Sequence, residues 1–226
     1  MAPAGDEARL SDVLTEARHR SLIGRPAPDL QIAHSLGFLE VLLLEPLTGP
    51  VLDLGAGGGL PGLVLASHEP DLDLVLVDSS HRSVDFLLWA VNELGLSERV
   101  EVVLARAEEV GRDPRYRELF SAVVARGFAR PAVTAECAAP LLEVGGRLIV
   151  SEPPPSAPGK AGGAPPEPAG VGEDARWPAE ACGKLGLAPE ERWYGQHGFM
   201  VLRKFCPCPD RYPRRTGVPA RRPLFS

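Results

Sequence analysis

The chain has 226 residues, of which 44% are hydrophobic and 24% charged, and its formal net charge is −6 at pH 7. This length and composition predict one globular domain with a substantial core. The acidic balance argues against a protein that is basic throughout and binds nucleic acid over its whole surface. No apolar run approaches the roughly 20 residues of a membrane span, and no N-terminal stretch resembles a signal peptide. We therefore expect a cytoplasmic, monomeric protein without membrane contact.

The first predicted segment, residues 1–49, is helical. It is charged at its start, and residues 28–46 have the broad apolar face of an amphipathic helix, which Pro46 and Gly49-Pro50 end. The cysteines are Cys137, Cys182, Cys206 and Cys208. Because no matching Cys/His pair accompanies the last two, we predict free thiols and no metal site.

A domain over residues 50–205 follows, in which predicted strands and helices alternate. Such alternation predicts a parallel, doubly wound sheet. The predicted strands are 51–54, 72–77, 100–104, 120–125 and 146–150. The predicted helices are 62–68, 84–94 and 132–142.

The second half of this domain contains an insert and a terminal hairpin. Residues 153–170 hold seven Pro and four Gly, a composition typical of an extended insert. A short helix over 179–185 and a hairpin of 192–194 with 199–204, turning near Gly195, come next. Residues 206–226 form a Pro- and Arg-rich tail.

The glycine-rich turn after the strand 51–54 indicates a nucleotide-binding site. Gly55 and Gly57 permit positive φ and let a ligand approach the backbone closely. The helix that follows offers free N–H groups at its N-terminus. Such a turn binds either a nucleotide pyrophosphate or the nucleoside of S-adenosylmethionine, and a glycine pattern alone does not separate the two.

Three acids at strand ends favour S-adenosylmethionine. Asp53 precedes the turn, where a pyrophosphate would be repelled but the ammonium group of the methionine moiety would be attracted. Asp78 ends the next strand and can accept hydrogen bonds from the ribose hydroxyls. Ala107 and Glu108 follow the third strand and fit the adenine edge. Each acid also has a structural alternative: Asp53 can cap the turn, Asp78 can cap a helix, and Glu108 can be a solvated helix-start residue.

The C-terminal charge predicts an RNA contact. From Arg203 to Ser226 there are seven Lys or Arg residues against one acid, Asp210, in a chain that is acidic overall. A disordered basic tail that aids solubility is the alternative. The predicted substrate-RNA residues are Arg211, Arg214, Arg215, Arg221 and Arg222.

These motifs resemble the RsmG (GidB) family of bacterial ribosomal RNA methyltransferases, which methylate N7 of one guanine in small-subunit rRNA. The similar segments cover most of residues 28–152 and 192–226. They are His34-Ser-Leu36, Asp53-Leu-Gly-Ala-Gly-Gly-Gly-Leu-Pro-Gly62, Val77-Asp-Ser-Ser-His-Arg82, Phe86-Leu87, Ala105-Arg-Ala-Glu-Glu109, Ala125-Arg-Gly-Phe-Ala129 and Arg211-Tyr-Pro-Arg-Arg215 with its continuation to Leu224. The chain departs from the family pattern at Ser151-Glu152, where the family commonly has Lys-Gly.

The resemblance implies a Rossmann-like class I fold with a seven-stranded, mostly parallel sheet and an antiparallel last strand. It implies that Gly55, Leu60, Ala107, Glu108 and Arg126 contact S-adenosylmethionine. The implied partner is 16S rRNA or the 30S subunit. Methylation of guanine N7 removes no proton, so we expect no general base. A methyltransferase for another RNA or a small molecule, and a non-catalytic ribosome-associated protein, are the alternatives.

Overall fold

The computed structural model describes residues 4–152, 176–194 and 197–226. The predicted insert at 153–170 and Gly195 lie outside the described residues. Seven strands form one sheet in the order β3-β2-β1-β4-β5-β7-β6. They are β1 (Val51–Leu54), β2 (Leu74–Asp78), β3 (Val100–Leu104), β4 (Phe120–Ala125), β5 (Leu142–Glu152), β6 (Leu187–Tyr194) and β7 (Gly198–Lys204).

The sheet confirms the predicted fold class. The first five strands pair in parallel, and β7 lies antiparallel between β5 and β6. The terminal hairpin therefore supplies the antiparallel part of the sheet, as the resemblance implied. The described helices are α1 (Ala4–His19), α2 (Pro28–Leu42), α3 (Gly62–His68), α4 (His81–Glu93), α5 (Ala107–Val110), α6 (Pro131–Ala138), α7 (Ala179–Gly183) and α8 (Val218–Arg221).

Both faces of the sheet are covered by packed side chains. Successive side chains of a strand point to opposite sides, so each strand contributes to both cores. In β1, Val51 belongs to the core that packs against α1 to α4, whereas Leu52 and Leu54 belong to the core on the other face. That second core includes residues of α6 and α7 and also Cys208 and Tyr212 from the C-terminal segment. A strand buried on both faces explains why β1 reads as a continuous apolar run apart from Asp53.

The C-terminal segment, residues 206–226, packs on this second face and is not a disordered tail. Cys208, Tyr212 and Pro219 are buried. Arg117 donates hydrogen bonds to the carbonyl oxygens of Cys208 (2.8 Å) and Tyr212 (3.0 Å). The segment is therefore held by backbone contacts as well as by apolar burial.

Several predicted boundaries were wrong, among them that of the hairpin strand predicted over 192–194, which begins at Leu187, and the following three. The helix predicted over 132–142 ends at Ala138, because Pro140 follows and β5 already begins at Leu142. The strand predicted over 146–150 extends from Leu142 to Glu152 and has an irregular register opposite β4. The helix predicted from Val84 begins at His81, since the Ser80 hydroxyl caps it by accepting from the Ser83 N–H at 3.4 Å.

The start of α3 lies so close to β1 and β2 that it tolerates only glycine. A Cβ on Gly62 would lie 2.3 Å from Leu76 Cδ2 and 2.7 Å from Asp53 Oδ2. We expect Gly62→Ala to lower the free energy of unfolding by about 1–3 kcal/mol, measured by urea denaturation. Gly183→Ala is the matched control: nothing lies within 4 Å of a Cβ there, so stability should be unchanged or slightly higher. Equal effects at both positions would contradict this packing.

Candidate active site

The candidate site lies where the strand order of the sheet reverses, between β1 and β4. Ligands of open α/β sheets bind beyond the carboxyl ends of the strands at such a point. A cavity of about 370 Å³ opens there, a size typical of small-ligand pockets. Its lining comes from the ends of β1 to β4, from α5 and α6, and from α8. The lining residues include Gly55, Asp78, Ala107, Glu108, Phe128, Val133, Cys137 and Ala220.

The cavity brings together half of the predicted cofactor residues. Gly55, Asp78, Ala107 and Glu108 line it. The other four do not line it. Three of them are in β1 or in the turn that follows it, and one directly follows β4. They are Asp53, Gly57, Leu60 and Arg126.

Asp78 shapes the glycine turn as well as lining the cavity. Its Oδ2 accepts a hydrogen bond from the Gly57 N–H and its Oδ1 accepts from the Ser80 N–H, both at 2.8 Å. The half-buried carboxylate therefore links the turn after β1 to the start of α4. Ser80 and not Asp78 caps α4, so the helix-cap alternative for Asp78 was wrong; the carboxylate instead holds the glycine turn while it occupies the position expected of a ribose acceptor.

Asp53 is fully buried beneath the turn. Its Oδ2 accepts a hydrogen bond from the Gly62 N–H at 2.8 Å, so it does cap the start of α3. Its Oδ1 has no hydrogen-bond partner among the described residues. Burial raises the pKa of this carboxyl to about 7, although the Gly62 N–H and the nearby Arg126 oppose the shift.

Arg126 follows β4 and turns toward α2. Its Nη2 donates to Oε1 of Gln31, a buried residue that the sequence analysis did not single out. Its Nη1 is buried and has no partner among the described residues. Burial lowers the pKa of the guanidinium, and the charge of Asp53 opposes that shift. A buried donor and a buried acceptor, each without a partner in the described part of the chain, therefore lie near the ends of two adjacent strands.

Two histidines lie beside Arg126. The rings of His34 on α2 and His197 before β7 have centroids 4.4 Å apart and are tilted by 40°. Burial, followed by the charges of Arg126 and His197, lowers the pKa of His34 to about 4. This side of the site thus carries a neutral imidazole near neutral pH.

Glu108 is buried and held by the C-terminal segment. Its Oε1 accepts a hydrogen bond from the Gly217 N–H at 2.8 Å, and its Oε2 is 3.8 Å from Arg106 Nε. Ala220 of the same segment lines the cavity. No sequence pattern pointed to Ala220. Val133 and Cys137 are four residues apart, so they lie on the same face of α6, and this spacing could have indicated them once α6 was known to follow β4.

Four of the five predicted RNA residues are exposed on the C-terminal segment: Arg211, Arg215, Arg221 and Arg222. Arg221 and Arg222 also line a second cavity, of about 270 Å³. Arg214 differs, because its side chain pairs with the fully buried carboxylate of Glu136 at 2.6 Å. Its predicted contact with RNA therefore competes with an internal partner.

Three further observations concern the described part of the chain. No group of three or more His, Cys, Asp or Glu side chains there is arranged to hold a metal ion. All four cysteines are free thiols. Within the same residues, every helix is too short or too polar to cross a membrane.

The sequence of this chain matches a described protein family over most of the methyltransferase domain. Residues 25–152 match the family described as rRNA small subunit methyltransferase G, GidB. A relative from Rubrobacter xylanophilus named ribosomal RNA small subunit methyltransferase G is 37% identical, over 94% of this chain and 80% of its own length. A relative of the same name from Moorella thermoacetica is also 37% identical, over 82% of this chain and 74% of its own length.

Solved structures agree on the fold. A candidate O-methyltransferase from Klebsiella pneumoniae superimposes with a TM-score of 0.59 at 13% identity, covering 88% of this chain and 90% of that one. The antibiotic-resistance methyltransferase Kmr gives a TM-score of 0.51 at 17% identity, covering 74% of this chain and 92% of that one. The chain therefore belongs to the rRNA small subunit methyltransferase G family and is an rRNA methyltransferase with the class I fold, as its motifs predicted.

Proposed function

We propose that this protein transfers the methyl group of S-adenosylmethionine to N7 of a guanine in small-subunit rRNA. The observation that carries the proposal is the cavity at the strand reversal, with the carboxylates of Asp78 and Glu108 beyond the ends of β2 and β3. The family of the chain supports the same activity. We further propose that it acts as a monomer in the cytoplasm, where the 30S subunit is found.

The nucleoside half of the methyl donor fits the cavity lining. Asp78 is half-buried and carries two carboxylate oxygens, each of which can accept a second hydrogen bond, here from a ribose hydroxyl. Glu108 Oε2 keeps an acceptor site for the exocyclic amine of adenine, because its ion-pair partner Arg106 is 3.8 Å away, beyond hydrogen-bond distance. Phe128 packs against the backbone of Gly55, where a Cβ would lie 2.5 Å from its ring. A side chain at position 55 would therefore displace the aromatic wall.

The amino-acid half fits two buried atoms, Asp53 Oδ1 and Arg126 Nη1, that have no hydrogen-bond partner among the described residues. Buried polar atoms are nearly always hydrogen-bonded, so such a pair is suited to a polar ligand. Asp53 Oδ1 can accept from an ammonium group, and Arg126 Nη1 can donate to a carboxylate. A zwitterionic methionine end would satisfy both atoms, whereas a pyrophosphate would leave Asp53 without a donor.

The protein's task in the reaction is positioning. When bound, S-adenosylmethionine supplies an activated methyl group on a sulfonium sulfur. Guanine N7 attacks with a free lone pair and loses no proton, so no residue has to act as a general base. Holding the reacting groups in line can contribute roughly 7–11 kcal/mol to the barrier reduction. Gly55, Asp78 and Glu108 would hold the donor, and the residues around Arg126 would face the incoming base.

The exposed arginines of the C-terminal segment would hold the RNA backbone. Arginine pairs well with phosphate, and Arg221 and Arg222 already share one surface cavity. The acid that departs from the family pattern does not oppose this, because Glu152 is paired internally. Its Oε1 accepts from Trp177 Nε1 at 2.9 Å, and its Oε2 is 2.8 Å from Arg176.

The test is methylation of unmodified small subunits with labelled S-adenosylmethionine. We expect label in 16S rRNA, and a single site of chain scission after reduction and aniline treatment, which marks 7-methylguanine. Asp78→Ala should abolish incorporation because it removes the ribose acceptor and loosens the turn. Label on bare small molecules or on another RNA, with none on the subunits, would contradict the proposal and favour the alternative substrates.

Salt dependence tests the RNA contact. Arg215 and Arg222 are exposed, so replacing both with Met should weaken RNA binding and leave the fold intact. The plot of log affinity against log salt should become shallower by about one for each phosphate that is no longer neutralised. Filter binding between low and moderate salt measures this slope. An unchanged slope would exclude these arginines as phosphate ligands.

The buried carboxyl of Asp53 predicts a pH-dependent stability. Its pKa is near 7 in the folded protein and near 3.8 in the unfolded chain, so folding favours the protonated form. Below pH 4 the carboxyl is protonated in both states and does not lower the free energy of unfolding. Between about pH 4 and pH 7 the unfolded chain loses this proton while the folded protein keeps it, so the free energy of unfolding falls as the pH rises. Asp53→Asn removes the charge and keeps an oxygen for the Gly62 N–H. We expect it to be roughly 2–4 kcal/mol more stable than the wild type at pH 8 but not at pH 4.

Urea unfolding at several pH values measures this difference. Asp71→Asn is the control, since the Asp71 side chain is exposed and its replacement should give a difference independent of pH. A constant difference for Asp53→Asn would show that this carboxyl titrates normally in the folded protein.

A further inference from the structure

We propose that residues 214–222, here called the C-terminal clamp, form a wall of the cofactor cavity, and that Arg214 positions this wall through Glu136. Arg214 then acts on the methyl donor and not on RNA. The inference rests on the proposed function, because it assumes that S-adenosylmethionine occupies the cavity. It assigns to Arg214 a role different from the one its sequence context predicts.

Arg214 joins the two ends of the clamp to the body of the domain. Its backbone N–H and Nε donate to Glu136 Oε1 at 2.9 and 2.8 Å, and its Nη2 donates to Glu136 Oε2 at 2.6 Å. The same Nη2 donates to the carbonyl oxygen of Arg222 at 2.7 Å. One guanidinium therefore fixes residue 214, residue 222 and α6 relative to each other.

Glu136 connects this arrangement to the cavity. It is fully buried on α6, next to Cys137 and one turn from Val133, and both of those residues line the cavity. A buried carboxylate needs a charged, hydrogen-bonded partner, and Arg214 occupies both of its oxygens. Loss of Arg214 would leave a buried charge on the helix that forms the cavity wall.

The middle of the clamp reaches the adenine side of the cavity. Gly217 has a φ of +77°, which favours glycine, and this conformation directs its N–H to Glu108 Oε1 at 2.8 Å. Three residues later Ala220 lines the cavity itself. The clamp thus fixes which oxygen of Glu108 remains open to a ligand.

The outer face of the clamp is cationic, with Arg215, Arg221 and Arg222 exposed. RNA bound to this face and a nucleoside bound to the inner face would contact the same nine-residue segment. The clamp therefore has one face for phosphate and another for the methyl donor, and Arg214 lies between them.

Calorimetry with S-adenosylhomocysteine, in the absence of RNA, tests the positioning role. We expect Arg214→Met to weaken binding at least tenfold and Arg214→Lys to restore part of the affinity, because lysine keeps the charge but not the fork. In turnover with small subunits, the KM for S-adenosylmethionine should rise while the KM for subunits changes less than twofold. A simple contact with RNA would give the reverse pattern.

Arg112→Met is the matched control. Arg112 Nε donates to the carbonyl oxygen of Pro213 at 2.9 Å, so it anchors the same segment just outside the clamp and does not line the cavity. Its replacement should change the affinity for S-adenosylhomocysteine less than twofold. Equal weakening by Arg112→Met and Arg214→Met would overturn the inference, because it would indicate general loosening of the segment.

Gly217→Ala provides a second variant if Arg214→Met does not fold. It keeps the ion pair, and the nearest atom to its Cβ would be 3.6 Å away on the Arg221 side chain, so only the backbone conformation is disfavoured. We expect several-fold weaker binding of S-adenosylhomocysteine. Unchanged binding in both Gly217→Ala and Arg214→Lys would overturn the inference, whereas failure of the wild type to bind would overturn the proposed function instead.

Discussion

The glycine turn at the strand reversal depends on two carboxylates that hold backbone N–H groups. Asp53 fixes Gly62 at the start of α3, and Asp78 fixes Gly57 within the turn. A turn of glycines has little conformational preference of its own, so it needs such contacts to keep one shape. The cost is a fully buried carboxyl whose pKa is raised to about 7. Gly55 of this turn lines the cavity at the strand reversal, so the shape of the cavity depends on both contacts.

Asp53 and Glu108 are each held by the protein through one oxygen. Because Glu108 is buried, the alternative that it is a solvated helix-start residue was wrong, whereas Asp53 does bond the start of α3. One oxygen of Asp53 caps α3 and the other lacks a partner among the described residues. One oxygen of Glu108 accepts from the Gly217 N–H, and the other lies 3.8 Å from Arg106 Nε. A carboxylate with one oxygen fixed by the protein is oriented before a ligand arrives, which reduces the entropic cost of binding.

The C-terminal segment shows how one stretch of charge can divide into two roles. Arg214 and Arg215 are neighbours in the chain, yet Arg214 pairs with a buried acid and Arg215 is exposed. A count of charged residues treats the two arginines alike, because it takes no account of where Glu136, 78 residues earlier in the chain, lies in the fold. Glu152 is a similar case, since this acid, which departs from the family pattern, is paired with Trp177 and Arg176.

The sequence by itself determined the fold class, the glycine turn and the family, because these depend on local periodicity and on short motifs with fixed spacing. It also determined which strand ends carry acids, since parallel strands place their carboxyl ends on one edge of the sheet. Only the tertiary structure decided that Gln31 meets Arg126, that Ala220 lines the cavity and that Arg214 is held by Glu136. These pairs are far apart in the chain, so their contact depends on how the helices and the C-terminal segment pack against the sheet, which no local pattern records.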